Sequence, residues 1–258
     1  MHGNQIKITW YGTAAIRISS ANSQLLIDPF FPFPDSKVKI NENSFDDCEN
    51  ILITHGHFDH IGSINEIANP NTIIYCTEAP YKSLCKKGVN KRNMKMINAG
   101  SVFNIGDFKI TAFKGNHIKL NIFDGLKRLF SKRVWQNRKG VIHKILKFIS
   151  CREKKESLCY LVEINGKRIL ILGSLAISEN VSYPSGADLA LIPYQGSKQL
   201  FNIARNIYIE LKPKAVMLTH FDDTFPPFSD DIDTTDIEKY LSKHVKLYKI
   251  KQGNSFEI

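Results

Sequence analysis

The chain has 258 residues, of which 43% are hydrophobic and 10% aromatic, and this composition excludes a largely disordered protein. No apolar run approaches the roughly 20 residues of a transmembrane helix, and the first ten residues lack the apolar core of a secretory signal. Lys and Arg number 35 against 25 Asp and Glu, a net charge of +10. The five cysteines form no CxxC pair, which argues against a disulfide framework and predicts a cytoplasmic protein.

Short β-rich segments alternate with helical patterns along the chain. Apolar runs bounded by turn residues predict strands, and these fall at Ile6–Trp10, Ala15–Ser19, Gln24–Asp28, Ile51–Thr54, Ile73–Cys76, twice within Val102–Gly115, and at Leu158–Ile164, Lys167–Gly173, Asp188–Pro193, Ala215–Thr219 and Lys246–Ile250. Amphipathic patterns predict helices at Ile61–Ala68, Tyr81–Lys87, Ser197–Leu211 and Thr235–Lys243. Both halves of the chain therefore run from strands to alternating strands and helices, with an insert between them.

A dense group of metal-ligand residue types follows the apolar run Ile51–Thr54. Within six residues stand His55, His57, Asp59 and His60. Imidazole nitrogen and carboxylate oxygen are ligands that zinc takes in proteins. Side chains two apart in an extended chain point the same way, so His55 and His57 are predicted to share one ion. Asp59 and His60, at the turn into the next helix, are predicted to face a second ion.

This His-x-His-x-Asp-His pattern after an apolar strand resembles the metallo-β-lactamase superfamily. The resemblance runs the length of the chain and implies an α/β fold, the four-layer αββα sandwich, with a metal site at one edge of the sheets. We therefore expect one domain over residues 1–258, and the charge and apolar spacing of the segment at about 118–157 predict that it is a basic helical insert in this domain. By the same resemblance, His117 completes the first ligand set and His220 completes the second. The implied cofactor is zinc, as one or two ions, with Mn or Fe as the other candidate metals.

Three further residues enter through this resemblance, each beside a simpler structural alternative. Asp28 resembles an aspartate that ends a strand and supports a metal-binding histidine from behind; the alternative is an Asx turn before Pro29. Ser174 stands where many members carry a metal-bridging aspartate, so it either hydrogen-bonds the bridging water or a ligand, or is purely structural. Asp222 resembles a residue of the ascorbate-6-phosphate lactonase-like branch, where it would orient His220 or a water; the alternative is an ordinary acidic loop.

The net charge is concentrated in the insert. Lys119–Glu156 contains twelve Lys and Arg against three Asp and Glu, a net of +9. Apolar residues recur at helical spacing from Ile122 to Val134 and from Val141 to Ile149, which predicts two amphipathic helices. They form either a lid with solvated charges or a surface for an anionic substrate or a membrane. The substrate-binding candidates are Lys127, Arg128, Lys132 and Arg133. Nucleic acid is favoured less, because Trp135 is the main aromatic residue among the charges.

The sequence therefore predicts a metal-dependent hydrolase, resembling the lactonase-like branch. A metal-bound hydroxide would attack an ester, lactone or phosphodiester in a small, anionic substrate. Asp59 is the catalytic candidate, because it both ligates and can accept a hydrogen bond from the nucleophile. Two alternatives stay open. One is an RNA-processing nuclease of the same fold, and the other is a weakly active or non-catalytic metal-binding module, which the serine at position 174 would permit.

Overall fold

A computed structural model of the chain describes residues 5–47, 49–117, 141–151, 154 and 156–258. These residues form two seven-stranded sheets. The first sheet contains, in spatial order, β14 (Ser255–Glu257), β1 (Lys7–Gly12), β2 (Ala15–Ser19), β3 (Gln24–Ile27), β4 (Asn50–Leu52), β5 (Ile73–Cys76) and β6 (Met94–Met96). Its strands pair antiparallel from β14 to β3 and parallel from β3 to β6.

The second sheet repeats this mixed pattern. In spatial order it contains β13 (Lys246–Tyr248), β12 (Ala215–Thr219), β11 (Leu189–Pro193), β10 (Lys167–Ile171), β9 (Leu158–Ile164), β8 (Phe108–Lys114) and β7 (Val102–Ile105). Strands β10 to β13 are parallel, and β7 to β10 are antiparallel. Parallel strands end at a common edge, so each sheet brings several chain segments together at the carboxyl ends of its strands.

The α-helices within the described residues are α1 (Phe58–Ile61), α2 (Ile64–Ile67), α3 (Glu78–Lys86), α4 (Val141–Ile149), α5 (Leu200–Leu211) and α6 (Thr235–Leu241). Short 3₁₀ helices lie at Glu42–Phe45 and Lys91–Asn93. None of the helices in the described part of the chain has the length and apolar character needed to cross a membrane.

The two sheets pack face to face with helices outside them. Strand side chains alternate between faces, so Leu52 enters the core between the sheets while its neighbour Ile51 packs with apolar residues of α1, α2 and α3. On the second sheet, Ile171 enters the core between the sheets, and its neighbour Leu170 packs on the outer face against α5 and α6. A sheet that is covered on both sides needs strands that are apolar on both faces, and these strands have that character. The predicted αββα sandwich is confirmed.

One predicted helix is wrong in its extent. The expected helix Ile61–Ala68 is two short helices, and the first begins earlier, at Phe58, so that Asp59 and His60 lie on it. The break falls at Gly62 and Ser63. The Ser63 hydroxyl accepts the backbone N–H of Phe31 at 2.9 Å, which ties this turn to a neighbouring loop. A tertiary contact thus replaces the continuous helix that the local pattern predicts.

The insert is described in part. The second of its two predicted helices is confirmed as α4, and the first lies outside the described residues. Phe148 of α4 packs into an aromatic cluster that also contains Phe30, Phe58 and Phe225. The assignment of residues 1–258 to one domain stays a prediction.

Candidate metal centre

Six metal-ligand side chains gather where strands of both sheets end. His55 follows β4, His117 follows β8 and His220 follows β12 directly. The donors fall into two sets, each with its ligand atoms within 4.8 Å of one another. The first set is His55, His57 and His117, and the second is Asp59, His60 and His220. The structure thus brings together all six sequence-predicted ligand candidates, in the two groups that were expected.

In the first set, ring nitrogens point toward a common space. Nε2 of His55 lies 3.1 Å from Nδ1 of His57. The ring of His117 lies edge-on to both, with centroid distances of 5.1 Å to His55 and 4.5 Å to His57. His55 is buried, and His57 and His117 are half-buried, so part of the set is exposed to solvent.

In the second set, the Asp59 carboxylate lies between two imidazoles. Oδ2 of Asp59 is 2.9 Å from Nε2 of His220 and 3.7 Å from Nε2 of His60. All three residues are buried. Asp59 and His60 lie on α1, whose short turn begins at His57, so one local structure contributes to both sets.

The electrostatics of the site favour the ligand forms of His55, His57 and Asp59. Burial lowers the pKa of His55 well below its usual value, and neighbouring histidines add to the shift. Burial also lowers the pKa of His57 to about 4, although Asp59 acts in the opposite direction. Burial alone would raise the pKa of Asp59, but contacts with His60 and His220 hold it below its usual value. Neutral imidazole and ionised carboxylate are the states that bind metal ions, so the donors present fit such an ion.

Asp28 supports this site from behind. It is fully buried just after β3, where it adopts a positive φ of 43°. Its carboxylate accepts hydrogen bonds from Thr54 N–H at 2.8 Å and from Thr54 Oγ1 at 2.5 Å. Oδ2 also lies 2.7 Å from Nδ1 of His60. Burial lowers the pKa of His60, but the carboxylates of Asp28 and Asp59 outweigh this effect and raise it.

Asp222 contacts the metal-ligand candidate His220 indirectly, through the backbone of Thr13. Its carboxylate accepts the N–H of Thr13 at 2.8 Å and a hydrogen bond from Gln252 at 3.1 Å. The carbonyl of Thr13 in turn accepts the backbone N–H of His220 at 2.9 Å. Asp222 therefore fixes the turn that holds the main chain of His220.

Ser174 follows the close approach of two strand ends. A Cβ built on its neighbour Gly173 would lie 2.5 Å from the carbonyl oxygen of Leu158 and 2.8 Å from Cβ of Thr54, the residue before His55. Only glycine fits here without displacing the backbone of Leu158 or the side chain of Thr54. Ser174 is half-buried, and it directly follows the glycine that packs against Thr54, the residue before His55. Its role at the metal stays a prediction.

The four substrate-binding candidates, Lys127, Arg128, Lys132 and Arg133, lie outside the described residues. Lys144 of α4 lies within the described residues, and its ammonium group is paired with protein atoms. Its ammonium group contacts both carboxylate oxygens of Asp35, at 2.8 and 2.7 Å, and donates to the carbonyl of Pro226 at 2.8 Å. Only 16% of its side chain is exposed. At least this basic residue of the insert anchors α4 to the sandwich.

Sequence reasoning missed Gln195, Thr54 and Thr13. Oε1 of Gln195 lies 2.5 Å from Nδ1 of His220. Oγ1 of Thr54 lies 3.0 Å from Nδ1 of His55. Both residues stand where parallel strands end, and this position is the signal that could have found them. Thr13, in the β1–β2 turn, gives no comparable signal.

Known proteins resemble this chain in sequence and in fold. A model of the beta-lactamase superfamily domain matches residues 7–220. A UPF0173 metal-dependent hydrolase from Xanthobacter autotrophicus is 32% identical over 126 residues, which cover 43% of this chain and 48% of that protein. The chain therefore spans about half the length of this curated relative.

Two solved structures cover almost the whole chain. Igni18, a metallo hydrolase from the archaeon Ignicoccus hospitalis, gives a TM-score of 0.65 at 17% identity and 98% coverage of both chains. The metallo-beta-lactamase fold protein YhfI from Bacillus subtilis gives a TM-score of 0.62 at 16% identity, with 99% of this chain and 100% of that chain covered. At these identities the similarity shows a shared fold.

Proposed function

The chain belongs to the metallo-β-lactamase superfamily, and from this membership we propose that it is a metal-dependent hydrolase with zinc as its metal. The observation that carries the proposal is the pair of three-residue donor sets, drawn from three separate parts of the chain. Within the first set, Nε2 of His55 faces Nδ1 of His57 at 3.1 Å. In the second, Oδ2 of Asp59 faces Nε2 of His220 at 2.9 Å.

His55, His57 and His117 would hold one ion, and Asp59, His60 and His220 the other. When bound, such ions make water a stronger nucleophile at neutral pH and polarise the oxygen of the bond to be cleaved. The chain supplies the geometry. Asp28 holds Nδ1 of His60, so that Nε2 faces the ligand set. Asp59, kept ionised by its histidine neighbours, accepts a hydrogen bond from the attacking water and orients it.

The proposed substrate is a small anionic ester, lactone or phosphodiester. The net charge of +9 between Lys119 and Glu156 supports an anionic partner, because a concentrated positive field attracts it. An anionic lipid surface would use the same charge. The free thiols of Cys76, Cys85, Cys151 and Cys159 agree with the proposed cytoplasmic location.

The test combines metal content with turnover. Protein reconstituted with Zn²⁺ is expected to retain up to two ions and to hydrolyse at least one member of an ester, lactone and phosphodiester panel. Asp59→Asn should reduce kcat by about 100-fold or more. Asp107→Asn is the control, because Asp107 is exposed in the turn between β7 and β8.

Each contrary outcome points to a different function. Protein that takes up no metal after reconstitution would overturn the proposal. Full metal uptake without turnover would favour the metal-binding module. Turnover confined to RNA would favour the nuclease.

A further inference from the structure

Gln195 and His220 leave neighbouring parallel strands at the same edge of the second sheet. Pro193, the last residue of β11, stands opposite Thr219, the last residue of β12. The strands stay joined just beyond this point, where the N–H of Tyr194 donates to the carbonyl of Thr219 at 2.8 Å. This register brings Oε1 of Gln195 within 2.5 Å of Nδ1 of His220.

The contact fixes the orientation of the His220 ring. The carboxamide oxygen of Gln195 accepts a hydrogen bond from Nδ1–H when Nε2 serves as the ligand. Nε2 then lies on the side of the donor set, where it faces Oδ2 of Asp59 at 2.9 Å. Replacing Gln195 by an apolar residue would remove this acceptor and, with it, one constraint on the ring.

His60 shows the same arrangement with a different acceptor. Its Nδ1 lies 2.7 Å from the carboxylate of Asp28, and its Nε2 faces Asp59. Both histidines of the second donor set therefore have Nδ1 held by an oxygen of a neighbouring side chain. The backbone of His220 is held separately, since its N–H donates to Thr13 and its φ is 63°. Gln195 therefore contacts the ring of His220, whereas Thr13 holds its backbone.

We propose that Gln195 is a positioning residue, which holds Nδ1 of His220, orients the ring with Nε2 toward the second donor set and thereby sets the affinity of that set for its ion. This inference rests on the proposed metal-binding function. Groups that orient a metal ligand in this way commonly change metal affinity by about 10- to 100-fold when removed.

The experiment measures Zn²⁺ affinity by chelator competition, in a His117→Ala background where only the second set keeps three donors. Gln195→Leu should weaken binding by about 10- to 100-fold. Gln195→Glu should bind at least as tightly as the parent, because a carboxylate is a stronger acceptor for Nδ1–H. Gln24→Leu is the control, since Gln24 is also half-buried and hydrogen-bonded, to Arg17 in the first sheet.

The outcomes separate this inference from the proposed function. Zn²⁺ affinity within twofold of the parent in Gln195→Leu overturns the role of Gln195 alone. Failure of the second set to bind Zn²⁺ in the His117→Ala parent also overturns that role, whereas failure of both sets in the unsubstituted protein overturns the proposed function. Equal weakening in the Leu and Glu variants would also overturn the role of Gln195, because only one of them removes the acceptor.

Discussion

The backbone N–H of Thr13 donates to the carboxylate of Asp222 at 2.8 Å, across 209 residues of sequence. The carbonyl of Thr13 accepts the N–H of His220. The first turn of the chain and the loop after β12 therefore form one hydrogen-bonded unit, and Gly12 belongs to it with a φ of 107°. A metal-ligand candidate late in the sequence depends for its main-chain position on the thirteenth residue.

We expect Gly12→Ala to destabilise the protein by about 2 kcal/mol or more, because the positive φ is strained for alanine. Its Cβ would also lie 2.8 Å from Oδ2 of Asp222. Urea unfolding measures the change in free energy. Gly100→Ala is the matched control, since Gly100 has a φ of 90° and nothing within 4 Å of the added Cβ. Equal losses in the two variants would show that the contact with Asp222 contributes nothing.

The two donor sets should behave as separate sites in metal removal. After mild dialysis, elemental analysis should show near one retained equivalent, in the set of His55, His57 and His117, with a second added on titration. His117→Ala should lose the retained ion, whereas His220→Ala should keep it. Because an ion that binds only the folded state adds about 2.7 kcal/mol at a free concentration 100 times its Kd, chelation should lower Tm. An unchanged Tm would contradict this expectation.

Ser174→Asp should tighten binding of the second ion. A carboxylate adds negative charge and a ligand that two ions can share, which serine does not provide. Calorimetric titration with Zn²⁺ measures the affinity. Unchanged or weaker binding would mean that position 174 does not reach the metal.

The packing of α4 should depend on Phe148. Its ring lies 4.8 Å from that of Phe58 and 5.0 Å from that of Phe228. Phe148→Ala should lower stability by about 2 kcal/mol, less than for a fully buried phenylalanine because the residue is half-buried. Leu146→Ala on the same helix is the control, because Leu146 is 60% exposed and should change stability by less than about 0.5 kcal/mol. Equal effects would show that the cluster does not anchor the helix.

The basic segment should set substrate choice and leave the chemistry unchanged. Neutralising Lys127, Arg128, Lys132 and Arg133 together is expected to raise KM for an anionic substrate and to weaken liposome binding. Turnover of a small neutral ester should hardly change, because remote contacts act mainly through binding. Added salt should mimic the substitutions, since exposed charges are screened over about 8–10 Å at physiological ionic strength. Equal losses on charged and neutral substrates would instead favour a lid that matters only for packing.

Features that depend on contiguous residues could be predicted from the sequence. The cluster from His55 to His60 is local, and the family resemblance that this cluster carries implies the αββα layers. Features that depend on register could not. Gln195 meets His220 only because β11 and β12 end opposite each other. The three-residue strands β6 and β14 were missed, because pairing with β5 and β1, and not composition, makes them strands.

Tertiary contacts also override local patterns in two places. The helix expected at Ile61–Ala68 is divided where Ser63 accepts the N–H of Phe31. Lys144 looks like a solvated charge in the sequence, yet it is paired with Asp35, which lies 109 residues earlier. Neither partner can be identified from the spacing of residues within the helix itself.

Phe58 stands between His57 and Asp59, one residue from each donor set, and its ring packs against Phe148 of α4. Movement of α4 away from the sandwich therefore changes the packing of the short helix that carries donors of both sets. Substitutions at the aromatic contact of α4 therefore act one residue away from a candidate ligand of each donor set, His57 on one side and Asp59 on the other.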